Sequence, residues 1–279
     1  PEHPFLNKVE VERNFGSGRL KHPVPMLSTE KSYSVDETRK WVTRILKEAN
    51  KQDIDEIDIR VIVTAKLDGL AAMLREDKLL VTRGDGIHGS DITSSFAKGV
   101  VDAGNGISGV GELVMTTDYF EAHLKSMGYA HPRNICVGLV NSDEVNEDFV
   151  NALKDGVVRF VPHSTLSRWE GSFTELIEDH DTIQLQIKES CEYPTDGVVA
   201  EITHTELKSV LGSTSHHNRW QIAIKQRSKT KETTIKSINW QTKRTGRVTP
   251  VLEVEPIELS GATVRRVTAH HAGNVKTLK

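Results

Sequence analysis

The order of strand-like and helical segments constrains this chain most. Short runs rich in β-branched residues recur at irregular intervals: 57–65 (IDIRVIVTA), 111–115, 157–161, 197–202 and 222–224. The first alternates apolar and polar residues, the period of a half-buried strand. Residues 73–74 and 79–82 flank Glu76-Asp77 as the arms of a hairpin would. Helical periodicity is clearest over 34–50 (SVDETRKWVTRILKEAN). There Ser34 is placed to cap the N-terminus, Glu37 stands three residues on as in a capping box, and Trp41, Ile45 and Leu46 mark the apolar stripe. Residues 147–153 and 174–189 are further helix candidates. Strands and helices do not alternate regularly, so the expectation is an α+β fold of antiparallel sheets flanked by helices.

After Lys229 the texture changes. Strand-like runs at 233–241, 248–254 and 263–268 are separated by Arg244-Thr245-Gly246 and Ser260-Gly261. They resemble the opening of a small β-barrel. The 51 residues from 229 onward are too few for five strands, so an unpaired edge, and with it a partner, is expected. The expected division is 1–228 for the first domain and 229–279 for a partial barrel, more unequal than the two-domain prior for 279 residues suggests.

Composition excludes several classes. No run approaches 18 apolar residues, so no membrane helix is expected, and PEHPFLNKVEVE lacks a signal-peptide pattern. Cys136 and Cys191 cannot build a disulfide framework or a four-thiolate zinc site. The 12 histidines, including the pairs His216-His217 and His270-His271, show no zinc spacing. A reduced, cytoplasmic setting follows. The net charge of −3 hides an asymmetry: residues 203–279 hold 14 Lys and Arg against five Asp and Glu, a net of +9, leaving −12 for residues 1–202. Such a split points to a basic face for a polyanion.

The sharpest chemical feature is Lys66-Leu67-Asp68-Gly69, directly after the 57–65 run. A lysine at a strand end can be held partly desolvated, which favours the neutral amine that a nucleophile needs. Asp68 shares its face in an extended chain, and Gly69 lets backbone approach a ligand. Alone the pattern is weak. It is followed in order by Thr82-Arg83-Gly84-Asp85-Gly86 with Gly89-Ser90-Asp91-Ile92-Thr93, a Gly-rich turn with a fixed cation. Then come Gly111-Glu112, Asp196-Gly197-Val198-Val199, and Trp220-Gln221-Ile222-Ala223-Ile224-Lys225. Two lysines, two strand-borne carboxylates and an arginine turn suit nucleotidyl transfer: one lysine attacks phosphorus, a second cation steadies the phosphate charge, and carboxylates hold Mg²⁺ and ribose.

With these motifs, the chain resembles the adenylation domain of bacterial-type NAD-dependent DNA ligases. The likeness begins at His22-Pro23-Val24-Pro25-Met26-Leu27-Ser28 and continues through His131-Pro132-Arg133-Asn134 and Arg244-Thr245-Gly246-Arg247-Val248-Thr249-Pro250-Val251. It ends near Gly261-Ala262-Thr263-Val264 and Thr268-Ala269-His270, similar to the start of the family's OB-fold. It implies an ATP-grasp-like nucleotidyltransferase domain followed by a partial OB-fold β-barrel. It also implies NAD as AMP donor, Mg²⁺, and nicked duplex DNA as substrate.

By that resemblance Lys66 is the adenylylated lysine, Asp68 lies by the nick 3′-OH, and Arg83 lies by phosphate. Glu112 contacts ribose or metal, Arg133 the nucleotide or nick phosphate, Asp196 supports the metal, and Lys225 grips the α-phosphate. Glu201 flanks the nucleotide, and Arg83, Arg133, Arg244 and Arg247 face DNA.

Departures from the family pattern are equally specific. The family's Glu two residues before the nucleophile is Thr64, and its Lys five residues after the DGVV aspartate is Glu201. An arginine eight residues beyond Arg133 is Asn141. The adenine-stacking Tyr falls around Pro162-His163, leaving Phe160 or His163 to substitute. The nicotinamide-recognising N-terminal domain is expected to be absent. The chain is then expected to be a split or truncated ligase: one subunit of a two-gene, phage- or virus-type enzyme, with a second subunit completing the barrel, or a fragment of a longer ligase. Two other readings stay open: an ATP-dependent or RNA-end nucleotidyltransferase, and a degenerate nick-binding module.

Overall fold

The computed structural model describes residues 19–142, 145–225, 231–242, 246–259 and 262–276. The chain divides into two compact units, 1–226 and 227–279. In chain order the main elements of the first begin with β1 (Ser28–Ser32), α1 (Val35–Lys51), β2 (Val61–Leu67), β3 (Leu70–Leu74), β4 (Leu80–Thr82), β5 (Val101–Asp102), β6 (Gly109–Met115), α2 (Pro132–Asn141) and α3 (Glu147–Lys154). They continue with β7 (Val158–Pro162), β8 (Arg168–Gly171), α4 (Phe173–Glu178), α5 (His180–Glu189), β9 (Thr195–Ile202), α6 (Thr205–Leu211) and β10 (His217–Ile224).

These strands form two five-stranded sheets, ordered β8-β2-β9-β10-β1 and β4-β3-β6-β7-β5. All neighbours are antiparallel except β10 with β1 and β5 with β7. The α+β expectation holds. One core packs α1, α4, α5 and α6 against the first sheet, around Trp41, Phe173, Ile45 and Ile202. The other packs α2 and α3 against the second, around Phe160, Leu113, Ile135 and Phe149.

Local chemistry sets the element ends. Ser34 caps α1 by accepting from the Glu37 N–H, while the Glu37 carboxylate accepts from the Tyr33 N–H at 2.6 Å. The box therefore closes one residue further out than the sequence pattern suggests. Trp41 and Ile45 are buried and Leu46 is partly buried. Two boundaries differ from expectation. Residues 57–60 are not strand: Glu56–Asp58 forms a 3₁₀ turn, and Ile57 is 81% exposed. The strand runs Val61–Leu67 instead, so Lys66 lies inside it rather than after it. The expected 174–189 helix is two helices, separated at Asp179.

The second unit has β11 (Ile235–Thr242), β12 (Val248–Leu259), β13 (Ala262–Thr268) and α7 (Ala272–Lys276). Its antiparallel sheet is ordered β11-β12-β13, with a small core of Leu252, Val254 and Ala269. Among the described residues the three strands make no closed barrel. Arg244 lies outside the described residues.

Candidate active site

The site begins with the alternation of β2. Val61, Val63, Ala65 and Leu67 are buried, which turns Ile62, Thr64 and Lys66 to the opposite face. Register is strongly fixed here, because a one-residue slip would drive the Lys66 ammonium into the apolar core.

Beside it, β9 pairs Gly197 with Lys66 and Val199 with Thr64, and the register shifts between Thr195 and Gly197. Asp196 occupies that irregularity, which re-aims its side chain as bulges do. Gly197 permits it: its φ is +150°, and a Cβ there would stand 2.2 Å from the Ile224 carbonyl oxygen. On the far side of β9, Val198 pairs with Ile224. The next residue, Lys225, is anchored by its own N–H donating to the Ser32 carbonyl at 2.8 Å.

The result is a shared carboxylate. Lys225 Nζ donates to Asp196 Oδ2 at 2.6 Å, and Lys66 Nζ lies 3.0 Å from Oδ1 and 3.3 Å from Oδ2. The Lys66–Oδ1 approach is off the line of a hydrogen bond, so this buried oxygen keeps an unused lone pair. Burial alone would push the Asp196 carboxyl up. The Lys225 hydrogen bond and the Lys66 charge outweigh burial and hold it below the ordinary carboxylate value.

Asp68 and Gly69 carry the chain from the first sheet to the second. The Asp68 N–H donates to the Pro194 carbonyl at 2.8 Å. Gly69 passes so close to β6 that a Cβ would stand 2.2 Å from the Leu113 oxygen. Its N–H donates to Glu112 Oε1 at 3.3 Å, and Glu112 Oε2 lies 3.8 Å from His163 Nε2. Glu112 sits in the middle of β6, not at the start of a strand as the sequence suggested. Asp68 Oδ1 is 3.3 Å from Arg133 Nη1, and Oδ2 is 3.5 Å from His131 Nε2.

Arg83 leaves β4 on a turn in which Asp85 accepts from the Ile87 and His88 N–H groups. Those backbone bonds, from His88 most of all, lower the Asp85 carboxyl. The 22–26 segment is laid over this turn, with His22 N–H on the Ile87 carbonyl and Met26 N–H on that of Gly86. Its motif thus has a mechanical reason.

Lys66, Asp68, Arg83, Glu112, Arg133 and Asp196 all line one cleft of about 840 Å³, and Lys225 reaches it through Asp196. Glu201 is placed apart. It pairs with Ile62, about 13 Å along the sheet from Lys66 at roughly 3.3 Å per residue, and binds Lys208 at 3.1 Å. Arg247 belongs to the second unit. Phe160 is fully buried and unable to stack on a ligand, whereas His163 is accessible beside Glu112. Trp220 packs on the core edge under the Lys208 ammonium, 4.5 Å from its ring centre.

Two residues that line the cleft, and one beside it, carry no functional signal of their own in the sequence. Asn141, noted only as a departure, lines the cleft, as does Lys98, whose ammonium donates to the Leu139 and Ser142 carbonyls at the end of α2. His131 was only part of a motif. Its signal is structural: a side-chain acceptor followed by Pro132 at the first helical position announces a helix start.

Among the described residues no group of three or more His, Cys, Asp or Glu is placed to hold a metal. Mg²⁺, however, is commonly bound through one or two carboxylates plus substrate phosphates. The unused Asp196 oxygen and Glu112 on the same cleft fit that donor set.

The NAD-dependent DNA ligase adenylation domain matches residues 16–154, and the NAD-dependent DNA ligase OB-fold domain matches residues 232–279. The chain carries the adenylation and OB-fold domains of the NAD-dependent DNA ligases. It is 47% identical to a DNA ligase of Desulfatibacillum aliphaticivorans over 99% of this chain and 43% of that protein. It is 42% identical to a DNA ligase of Psychromonas ingrahamii over the same shares. A DNA ligase of Shewanella baltica is 41% identical, again over 99% and 43%. The chain therefore spans under half the length of these relatives. No described helix is long and apolar enough to cross a membrane.

Proposed function

We propose that this chain performs the adenylyl-transfer chemistry of an NAD-dependent DNA ligase and seals nicks in duplex DNA. The observation that carries the reading is the Asp196 carboxylate held between Lys66 and Lys225 on the cleft that Asp68, Arg83, Glu112 and Arg133 also line. Residues 1–228 act as the adenylating domain and 229–279 as the first strands of the OB-fold.

In the first step the Lys66 ammonium, held beside Asp196 in the resting site, gives up a proton to solvent, and its Nζ attacks the α-phosphorus of NAD⁺. An N–P bond forms, the P–O bond to the pyrophosphate bridge breaks, and nicotinamide mononucleotide leaves. Asp196 keeps the two lysines side by side, so that Lys225 is in place to offset the phosphate charge that grows in the transition state. In the second step an oxygen of the nick 5′-phosphate attacks the same phosphorus and frees Lys66. In the third the 3′-OH beside Asp68 attacks the 5′-phosphorus and AMP departs, with Arg83 and Arg133 facing the phosphates. Glu112 and Asp196 would hold Mg²⁺, which when bound supplies further neutralisation of phosphate charge.

Arg247, with Arg244, would track the DNA backbone. A second ligase chain is the partner we favour, since β11 and β13 each have one edge unpaired among the described residues. The setting is the cytoplasm.

Intact mass of the purified chain, before and after NAD⁺, tests the reading. One added AMP on Lys66 from NAD⁺ is the expected result. An adduct from ATP alone would make the chain an ATP-dependent nucleotidyltransferase, and no adduct from either donor, with or without a second ligase chain, would defeat the reading.

A further inference from the structure

We propose that His131 is a positioning residue for Asp68, fixing the carboxylate that faces the nick 3′-OH; this rests on the ligase reading above. His131 precedes α2, and its Nδ1 accepts the Arg133 backbone N–H at 3.2 Å. A ring nitrogen that accepts carries no proton, so in the neutral imidazole the proton sits on Nε2. That nitrogen stands 3.5 Å from Asp68 Oδ2. The other carboxylate oxygen, Oδ1, is 3.3 Å from Arg133 Nη1. Each oxygen of Asp68 is thus faced by a different side chain from the same helix start. Together they set the plane of the carboxylate.

The backbone leaves them that task. Asp68 is pinned through its N–H to Pro194 and is followed by Gly69 in its tight passage, so only the side-chain torsions remain to be chosen. Contacts of 3.3–3.5 Å are long for hydrogen bonds, and such contacts shorten as a site closes on its substrate. Arg133 is more than half exposed and faces the same cleft as Arg83. When its guanidinium turns to a phosphate, His131 is the group that keeps Asp68 in place.

Histidine caps a second helix in this chain, His204 accepting from the Leu207 N–H at 3.2 Å, so what sets His131 apart is its other ring nitrogen, which faces Asp68. Asn, Asp and Ser are better N-caps, and histidine is not among the favoured residues. What histidine adds is length: a second ring nitrogen that reaches Asp68 while the first caps the helix.

That distinction supplies the test. His131→Asn keeps a good cap and loses the reach, whereas His131→Ala loses both. Two rates are measured on the full chain: formation of the lysyl adenylate from NAD⁺, and single-turnover closure of a nick that already carries 5′-AMP. For His131→Asn we expect adenylation within about twofold of wild type and closure slowed about 10- to 100-fold, the scale of a slightly misplaced group. His131→Ala should close as slowly and melt at a lower temperature. Wild-type closure by His131→Asn would reduce His131 to a cap and overturn the inference. Equal loss of adenylation and closure would overturn it too, as a general disturbance. A wild-type chain that takes up AMP but closes no nick removes the inference and leaves adenylation standing. One that does neither defeats the ligase reading together with the inference.

Discussion

Two aspartates share one cleft and are held in opposite ways. Asp196 sits half-buried between two lysines at 2.6–3.0 Å, its carboxyl pulled below the ordinary value. Asp68 is faced at 3.3–3.5 Å by an exposed Arg133 and a partly exposed His131. The first arrangement is assembled by sheet register and a bulge, so it is complete once the sheet folds. The second depends on side chains from a helix 63 residues or more away in sequence. We read the Asp196 end as built in advance for transfer to Lys66, and the Asp68 end as one that tightens when DNA arrives.

The largest expected effect separates the two ends outright. Lys66→Ala should abolish the lysyl adenylate, a loss of at least about 10³-fold for removing the proposed nucleophile. It should leave closure of a pre-adenylylated nick within about tenfold of wild type, since that step uses no lysine nucleophile. Equal loss of both activities would erase the distinction. Next in size, Lys225→Ala should slow adenylation about 10²- to 10³-fold, the usual cost of removing one charge-stabilising group. Asp68→Asn should instead act mainly on closure. Rapid-quench rates of the two steps decide both.

Stability gives a smaller and independent contrast. A double-mutant cycle on Asp196 and Lys225 should show a coupling of about 1.5–3 kcal/mol, as for partly buried charged hydrogen bonds. The Asp68–Arg133 cycle should give about 0.2–1 kcal/mol, because an exposed partner is screened by water. The Asp196 contribution also has a pH signature. Its folded carboxyl lies below the model-peptide value of 3.8, so the unfolded chain takes up the proton first. The stabilisation is complete well above that value and is lost as pH falls through the folded one. Urea melts of wild type and Asp196→Asn should therefore differ most near neutrality and converge in acid as pH falls through the lowered folded value. A constant gap would show that the ion pairs contribute nothing.

The Asp196 end was the more legible in the sequence, for a physical reason. An alternating strand dictates which face Lys66 takes, and Asp196-Gly197 marks a place where backbone must bend and a carboxylate must turn. These are local constraints. At the start of β2 the sequence misleads, because Ile57 and Ile59 imitate strand alternation although Ile57 is exposed in a 3₁₀ turn. Asp179, which divides α4 from α5, interrupts no apolar stripe strongly enough to be noticed. α2 was hidden because Val137 and Val140 line the cleft beside Arg133 and Asn141, which puts apolar residues on the side away from the core and weakens its amphipathic pattern. The His131–Asp68 approach is invisible in principle, since nothing local in either segment encodes it.

The smallest effect tests whether the two ends also differ in how firmly their backbone is held. Each has a free thiol nearby: Cys191 five residues before Asp196, and Cys136 within α2, three residues after Arg133. Burial pushes the Cys136 thiol up to about 12, and burial also raises Cys191, which is only partly enclosed. At pH 8 a thiol near 12 is ionised about once in ten thousand molecules, and the thiolate is the reacting form. Cys136 is also sealed from reagent, so its modification requires α2 to lift from the core. An aromatic disulfide reagent should thus modify Cys191 first and Cys136 at least about 100-fold more slowly. If the Asp68 end moves only through its side chains, nicked DNA should leave the Cys136 rate unchanged. If DNA slows Cys136 severalfold and leaves Cys191 alone, the whole helix settles on binding, and the adjustment at Asp68 is one of backbone as well as of His131 and Arg133.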